Sequence, residues 1–427
     1  QGNIKLVMEA LKERGLLLRN APHLVHNQKF VIPNYKWWER TFYGIGLKIY
    51  DKMSGRLGLG PSRFLSREET LQLAPTLDPA DLKGGVLYHD GQFDDARLAI
   101  SIAQTATQYG AVMLNYFPVK GLLKMQKKVC GVWAKDALTG NEYEIKSKAV
   151  INATGVFTDN IMNMDDAKHK SIIRPSQGIH LVVDKEFLPG DTAIMIPRTD
   201  DGRVLFAVPW YDKIVLGTTD TPVNDICSEP VPLPDEIEFI LSHIGRYLTK
   251  DPQLSDVRSM FAGLRPLVKG KTTKTSAISR DHIITVADSG LITITGGKWT
   301  TYRKMAEEVV NIATKEQSIK SGPCITKELR LAGHDSPSAP ADISSLNEAE
   351  LKTIIKKSVH EEMCMTTEDF LSRRTRQLLL NATIAKDKAP LVASLMAEEL
   401  KKDDAWVMAQ INNFNTVANN YLPINNH

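Results

Sequence analysis

One stretch constrains the fold more than any other: an apolar, β-branched run that breaks at two glycines and resumes as a helix. Leu291-Ile292-Thr293-Ile294-Thr295 reads as a buried strand, Gly296-Gly297 as a tight turn, and Lys298 to Glu307 as a helix start. At such a junction the free N–H groups of the first helical turn and the positive end of the helix dipole converge, and glycine lets an anion come close to the backbone. Turn geometry alone calls for the same two glycines, but Lys298, Thr300 and Thr301 directly after them favour an anion cradle. A nucleoside-triphosphate loop is excluded, because Trp299 stands where that motif needs Ser or Thr and Ile292 where it needs its first glycine.

A chain of 427 residues, 42% apolar and 24% charged with a net charge of +3, is long enough for two or three domains with sizeable cores. These proportions exclude disordered, collagen-like and disulfide-scaffold classes, and no apolar run reaches the ~18 residues of a spanning helix. The cysteines, Cys130, Cys227, Cys324 and Cys364, are scattered and form no Cys-x-x-Cys, so no metal centre or disulfide framework is expected. Basic residues are spread along the chain and leave no nucleic-acid footprint. The densest basic cluster, Lys269-Gly270-Lys271 with Lys274, is either a solvated loop or an anion-binding edge.

Along the chain, Ile4, Val7, Met8, Leu11 and Leu18 predict an amphipathic helix ending before Pro22. Tyr35-Lys36-Trp37-Trp38-Glu39-Arg40-Thr41-Phe42-Tyr43 has the rings and cations of a helix lying in a membrane interface; a core helix under a loop is the other reading. From Gly84 to Gly155 the pattern is α/β. Asp94 or Asp95 caps a helix with the apolar face Leu98, Ile102, Ala106 and Tyr109, Gly110 stops it, and Ala111-Val112-Met113-Leu114 is predicted as a strand. Lys124 to Trp133 and Glu142 to Ile145 alternate around the turn Thr139-Gly140-Asn141. A buried strand then ends in Asn152-Ala153-Thr154-Gly155, small residues that admit a ligand or simply turn into a helix. Residues 172–221 predict an antiparallel meander, with Asp200-Asp201-Gly202 as a hairpin turn and a strand at Lys213-Ile214-Val215-Leu216-Gly217. Past residue 320 the pattern is helical: Thr366 caps a turn with Asp369, Arg373, Arg374 and Arg376 are expected to be ion-paired rather than catalytic, and Val407, Ile411, Phe414 and Ala418 form an apolar stripe.

Taken together, Asn152-Ala153-Thr154-Gly155, Arg174-Pro175-Ser176-Gln177-Gly178-Ile179-His180, Pro197-Arg198-Thr199-Asp200-Asp201-Gly202-Arg203, Gly217-Thr218-Thr219-Asp220, Gly263-Leu264-Arg265-Pro266-Leu267 and Gly296-Gly297-Lys298-Trp299-Thr300-Thr301-Tyr302-Arg303 resemble, in order and spacing, the FAD-dependent glycerol-3-phosphate dehydrogenases. The resemblance implies an α/β plus α+β fold. A D-amino-acid-oxidase-like FAD-binding domain with an antiparallel substrate sheet, the flavin and substrate parts interleaved, would span 1–320, and a C-terminal helical cap 321–427. It also implies FAD as cofactor and oxidation of sn-glycerol 3-phosphate to dihydroxyacetone phosphate. In that reaction a hydride passes from C2 to flavin N5, a base takes the hydroxyl proton, and electrons go on to a membrane quinone at the cytoplasmic, inner face of the cell membrane. Oxygen as acceptor, another D-amino-acid-oxidase-type substrate, and a fragment that does not bind FAD by itself stand as alternatives; a homodimer is a further partner expectation.

A phosphate dianion needs several cationic donors, guanidinium forks above all. Arg265, Arg280 and Lys298 stand at positions the family uses around its substrate. A structural ion pair is the other reading of Arg265, and of Arg280 beside Asp281. Arg265 and His180 are the catalytic candidates, His180 as the base because imidazole titrates in the right range; a satisfied core histidine is its other reading. Flavin contacts are expected from Asn152, Ala153, Thr154 and Gly155 and from Gly296, Gly297, Lys298, Trp299, Thr300 and Thr301. One part of the family pattern has no match: a strand, Gly-x-Gly-x-x-Gly and a helix that hold the pyrophosphate. Gly44-Ile45-Gly46 lacks the third glycine and Gly58-Leu59-Gly60 runs into Pro61, so the chain is expected to be N-terminally truncated.

Overall fold

The computed structural model describes residues 4–54, 58–269, 281–334 and 342–423. Helix α1 (Ile4–Asn20) leads into β1 (Val25–Asn34), α2 (Trp37–Ser54), β2 (Arg63–Leu65), α3 (Arg67–Leu73) and β3 (Gly84–Phe93). After α4 (Asp95–Gln108) come β4 (Val119–Met125), β5 (Lys128–Lys135), β6 (Glu142–Lys146), β7 (Ile151–Asn152) and α5 (Thr158–Asp165). The long strand β8 (Ile173–Asp184) opens a meander of β9 (Thr192–Ile196), β10 (Leu205–Trp210), β11 (Lys213–Gly217) and β12 (Thr221–Pro222). Then follow α6 (Pro234–Gly245), β13 (Val257–Val268), β14 (His282–Val286), β15 (Ile292–Gly296) and α7 (Tyr302–Glu316). The C-terminal part is α8 (Glu348–Glu362), α9 (Gln377–Leu380), α10 (Ala382–Leu400) and α11 (Asp404–Asn419).

Among the described residues the strands form three sheets. The large one has nine strands in the order β12-β8-β11-β10-β9-β1-β3-β2, with β13 on the other side of β8; only β1 and β9 pair in parallel. The smaller ones are β14-β15-β7 and β4-β5-β6. Side-chain alternation divides the large sheet into two unlike faces. Ile179, Leu181 and Val183 of β8, with Ile194, Leu205, Leu216 and Met260 from its neighbours, are buried against Ile237, Ile240 and Ile244 of α6. The intervening residues, such as Met195 and Phe206, point to the other side, where α2 covers part of the sheet through Tyr43 and Leu47.

Helices α8, α10 and α11 enclose a separate core around Leu351, Ile355, Phe370, Val392, Met396 and Phe414. Buried ion pairs dock it to α4. Arg376 donates to both carboxylate oxygens of Asp94, with Nε–Oδ2 at 2.8 Å, and Asp94 is itself the N-cap of α4. Arg97, in the first turn of α4, forms a fork of 2.8 and 2.7 Å with Glu362 at the end of α8. Burial opposes ionisation of Asp94, but the hydrogen bonds and charge of Arg376 outweigh it and hold the carboxyl below its usual range. Arg373 and Arg374 pair with Asp369, whose backbone N–H is capped by the Thr366 hydroxyl at 3.0 Å, as the sequence predicts.

Three local expectations are overturned. Ala111-Val112-Met113-Leu114 is not a strand: it has no pairing partner among the described residues, and Val112 is 84% exposed. The run from Lys124 to Trp133 is two strands, because Gln126 and Lys127 take left-handed conformations (φ 47° and 66°) and form the β4–β5 turn. The strand before Ala153 is only two residues long, and Ile151 at its start is exposed rather than buried.

Removing one partner of a buried ion pair strands the other charge. Arg376→Met is therefore expected to lower the unfolding free energy at pH 7 by about 3–5 kcal/mol in urea titrations. Asp94 stabilises the fold only above its unfolded pKa, and that contribution fades as pH falls through the lower folded value. The deficit of the variant should accordingly shrink in acid; a deficit that is small at pH 7 or constant with pH would show that the pair does not dock the domain.

Candidate active site

The site is built on the face of the large sheet away from α6. β8 and β13 pair antiparallel along nearly their whole length, setting Ser176 opposite Arg265, Gly178 opposite Gly263 and His180 opposite Phe261. The His180 ring stacks on Phe261 with centroids 5.3 Å apart and planes 26° off parallel. Glycine is required at two positions here for space. A Cβ at Gly178 would collide with the Arg265 guanidinium, and one at Gly217, paired with His180, would collide with the imidazole.

Arg265 is braced by a bulge. β11 leaves β8 at Gly217–His180 and β12 rejoins it at Thr221–Gln177, so Thr218, Thr219 and Asp220 face only Gly178 and Ile179. Such a bulge exposes backbone groups beside a site. Arg265 Nη1 donates to the Thr219 carbonyl at 3.0 Å and Nη2 to Thr218 Oγ1 at 3.1 Å, while Asp220 lies 3.8 Å away and accepts a short hydrogen bond from Ser176. Burial, and after it the charge of Arg265, push the pKa of His180 down to about 4. His180 is thus a neutral imidazole at neutral pH, able to accept a proton.

The glycine turns follow neighbouring strands. β7 and β15 are parallel, with Asn152 paired to Thr293, so the segments after them leave at one end, the carboxyl end where α/β sheets hold ligands. Asn152 is buried: its amide donates to the Thr158 carbonyl at 3.0 Å and its oxygen accepts from the Thr154 hydroxyl at 2.7 Å, shaping the turn that exposes Ala153 and Thr154. Gly155, Gly296 and Gly297 have φ of 59°, 78° and 77°, which glycine alone adopts without strain. Lys298 caps a short 3₁₀ turn (Trp299–Thr301) whose Thr301 hydroxyl donates to the Lys298 carbonyl; α7 proper starts at Tyr302, later than expected. A Cβ on Gly296 would lie 3.2 Å from Val268, so this turn abuts the last residue of β13.

Of the predicted site residues, Arg265 and His180 share one face of the β8–β13 pair, while the turn at 152–155 and the segment from 296 follow the paired strands β7 and β15; Arg280, Lys271 and Lys274 lie outside the described residues. Lys269 is tied back to Ser171 by two hydrogen bonds. The two glycine turns at a helix start fit the ring end of a flavin. No pyrophosphate cradle accompanies them among the described residues, because Gly44 and Gly46 lie inside α2 and Gly58-Leu59-Gly60 follows no strand. Sequence reasoning missed the bracing role of Thr218 and Thr219, and it missed Glu236 altogether. The local signal at Glu236, Pro234 followed by two acids, announces only a helix start.

The family model described as FAD dependent oxidoreductase matches residues 1–303, and that for the C-terminal domain of alpha-glycerophosphate oxidase matches residues 299–407. The mitochondrial glycerol-3-phosphate dehydrogenase of Schizosaccharomyces pombe is 36% identical over 95% of this chain and 76% of its own length. That of Bos taurus is 38% identical over 94% of this chain and 62% of its own length, so the chain spans about three fifths of the mammalian relative. The X-ray structure of the glycerol-3-phosphate dehydrogenase from Bacillus halodurans complexed with FAD superimposes with a TM-score of 0.80 at 28% identity, covering 98% of this chain and 86% of that one. With both halves of the sequence pattern and the fold in agreement, the chain belongs to the family of FAD-dependent glycerol-3-phosphate dehydrogenases.

Proposed function

We propose that this chain serves FAD-dependent oxidation of sn-glycerol 3-phosphate to dihydroxyacetone phosphate. The observation that carries the reading is a guanidinium, Arg265, braced on the sheet face beside a neutral imidazole, His180, in a chain whose two glycine turns suit a flavin. Arg265, with Lys298 and Arg280, binds the phosphate; three cations suit a dianion better than the single carboxylate of an amino acid. FAD, when bound, supplies the two-electron acceptor, its ring end held by Ala153, Thr154, Gly155 and the segment from Gly296 to Thr301. His180 takes the C2 hydroxyl proton. A bound dianion offsets the charge of Arg265, which raises the proton affinity of the imidazole in the complex.

For the electron acceptor and location, the reading is a lipid-soluble quinone met at a membrane surface. Among the described residues no helix is long and apolar enough to cross a membrane. Support comes from α2, which turns Trp37 (86% exposed), Phe42 (66%) and Ile45 (55%) to solvent, a row of rings and aliphatics suited to a lipid interface. Beneath it runs an apolar groove of about 580 Å³ lined by Ile32, Tyr43, Leu47, Tyr88 and Met195. Met195 pairs with Phe206, Phe206 with Gly217 and Gly217 with His180, so groove and His180 share one sheet face.

Anaerobic addition of glycerol 3-phosphate to the FAD-loaded protein is expected to bleach the flavin's visible absorbance, whereas glycerol is not; no bleaching would reject the reading. Arg265→Met should lower kcat/KM by roughly 10²-fold, the loss of a charge-assisted fork to phosphate. The imidazole Cε1–H resonance of His180 should titrate with a midpoint near 4 in the free protein and higher when inorganic phosphate is bound; a midpoint near 6.5 without phosphate would contradict the placement. Replacing Trp37 and Phe42 by Ser should abolish co-sedimentation with vesicles containing anionic lipid, and unchanged binding would remove α2 as the contact.

A further inference from the structure

Glu236 lies on the opposite side of the large sheet from Arg265, in the first turn of α6, and is only 4% exposed. Its Oε1 accepts from the Thr219 hydroxyl at 2.7 Å, and its Oε2 from the Gln177 amide at 2.8 Å and the Leu233 backbone N–H at 3.1 Å. None of these partners carries a positive charge. Carboxylates this deeply buried are ordinarily paired with a cation, and the helix dipole at the start of α6 compensates only in part. Such a group is costly to keep, and a capping contact to Leu233 does not need it, since an amide would serve equally well.

What an amide could not supply is a second accepting oxygen, and Thr219 donates to it. That hydroxyl also accepts from the Ile179 N–H at 3.1 Å, the β8 donor that the bulge leaves without a ladder carbonyl. With one neighbour a donor, the hydroxyl proton has to go to Glu236, which fixes the side chain of Thr219 on the α6 face of the sheet. Its backbone carbonyl is thereby turned to the other face, where it accepts from Arg265 Nη1. Thr219, 1% exposed, is thus a through-sheet link between a carboxylate in the core and a guanidinium in the site.

We propose that Glu236 is a positioning residue for Arg265, acting through Thr219, so that phosphate affinity is set from the far side of the sheet. The inference rests on the substrate reading above for its kinetic consequence, but not for its structural one. In Glu236→Gln the amide oxygen can satisfy Gln177 and Leu233 and so keep the cap, while the new NH₂ faces Thr219 and reverses that hydrogen bond. Thr219→Val removes the link, and Thr219→Ser retains it.

The test uses the FAD-loaded protein. Glu236→Gln and Thr219→Val should each raise KM for glycerol 3-phosphate about tenfold with kcat within about threefold, and the double variant should be no worse than the singles, as expected of one shared path. Thr219→Ser should behave as wild type. Crystal structures of the two single variants should show the Arg265 guanidinium displaced from the residue-219 carbonyl. An unmoved Arg265, an unchanged KM despite displacement, or additive effects in the double variant would each overturn the proposal. If the wild type fails to oxidise glycerol 3-phosphate, the substrate reading falls and the position of Arg265 in the variants alone decides this one.

Discussion

The pairing of β8 with β13 is the constraint from which the rest follows. After a shift between Val257 and Ser259 its register runs unbroken from Val182–Ser259 to Ile173–Val268, and there each alternate residue is committed to one face by the pleat. On one face this yields the core against α6; on the other it sets Ser176, Gly178 and His180 beside Phe261 and Arg265. A slip of one residue would exchange the two sets and leave an arginine in the core. The same strand β13 receives the C-terminal domain: the Met260 N–H donates to the Tyr421 carbonyl at 2.9 Å, and the Ser259 hydroxyl to the Leu378 carbonyl at 2.9 Å. Site and domain docking therefore share one strand.

Electrostatics separates two classes of arginine in this molecule. Arg376, Arg97 and Arg303 are each bound in a bidentate fork to a buried carboxylate, Asp94, Glu362 and Glu13 respectively, and leave no charge for a ligand. Arg265 donates instead to a carbonyl and a hydroxyl, and the Asp220 carboxylate, itself engaged by Ser176, lies 3.8 Å away. After burial, the charge of Arg265 is the second cause of the lowered proton affinity of His180.

Local signals were legible in the sequence. Asp200-Asp201-Gly202 marks the β9–β10 hairpin, Asp94 the start of α4, and Thr366 with Asp369 the turn after α8, because each depends on neighbours within a few residues. The motifs carrying Arg265, His180 and the glycine turns were readable through their resemblance, in order and spacing, to the family pattern. Illegible were features set by distant partners. Ala111 to Leu114 has strand composition but no partner among the described residues; Gln126 and Lys127 turn without glycine; Thr219 and Glu236 are 17 residues apart, and Asp94 and Arg376 are 282 apart. Only the fold brings those pairs together, and nothing in either member announces the other.

The central claim is that the bulge-braced guanidinium on the β8–β13 floor is the phosphate anchor. A crystal structure of the FAD-loaded protein with glycerol 3-phosphate bound tests it most directly. The account predicts phosphate oxygens at hydrogen-bond distance, about 3 Å, from Arg265 and Lys298, with the C2 hydroxyl directed at His180. Phosphate seated elsewhere, with none of its oxygens within hydrogen-bond distance of Arg265, would contradict it.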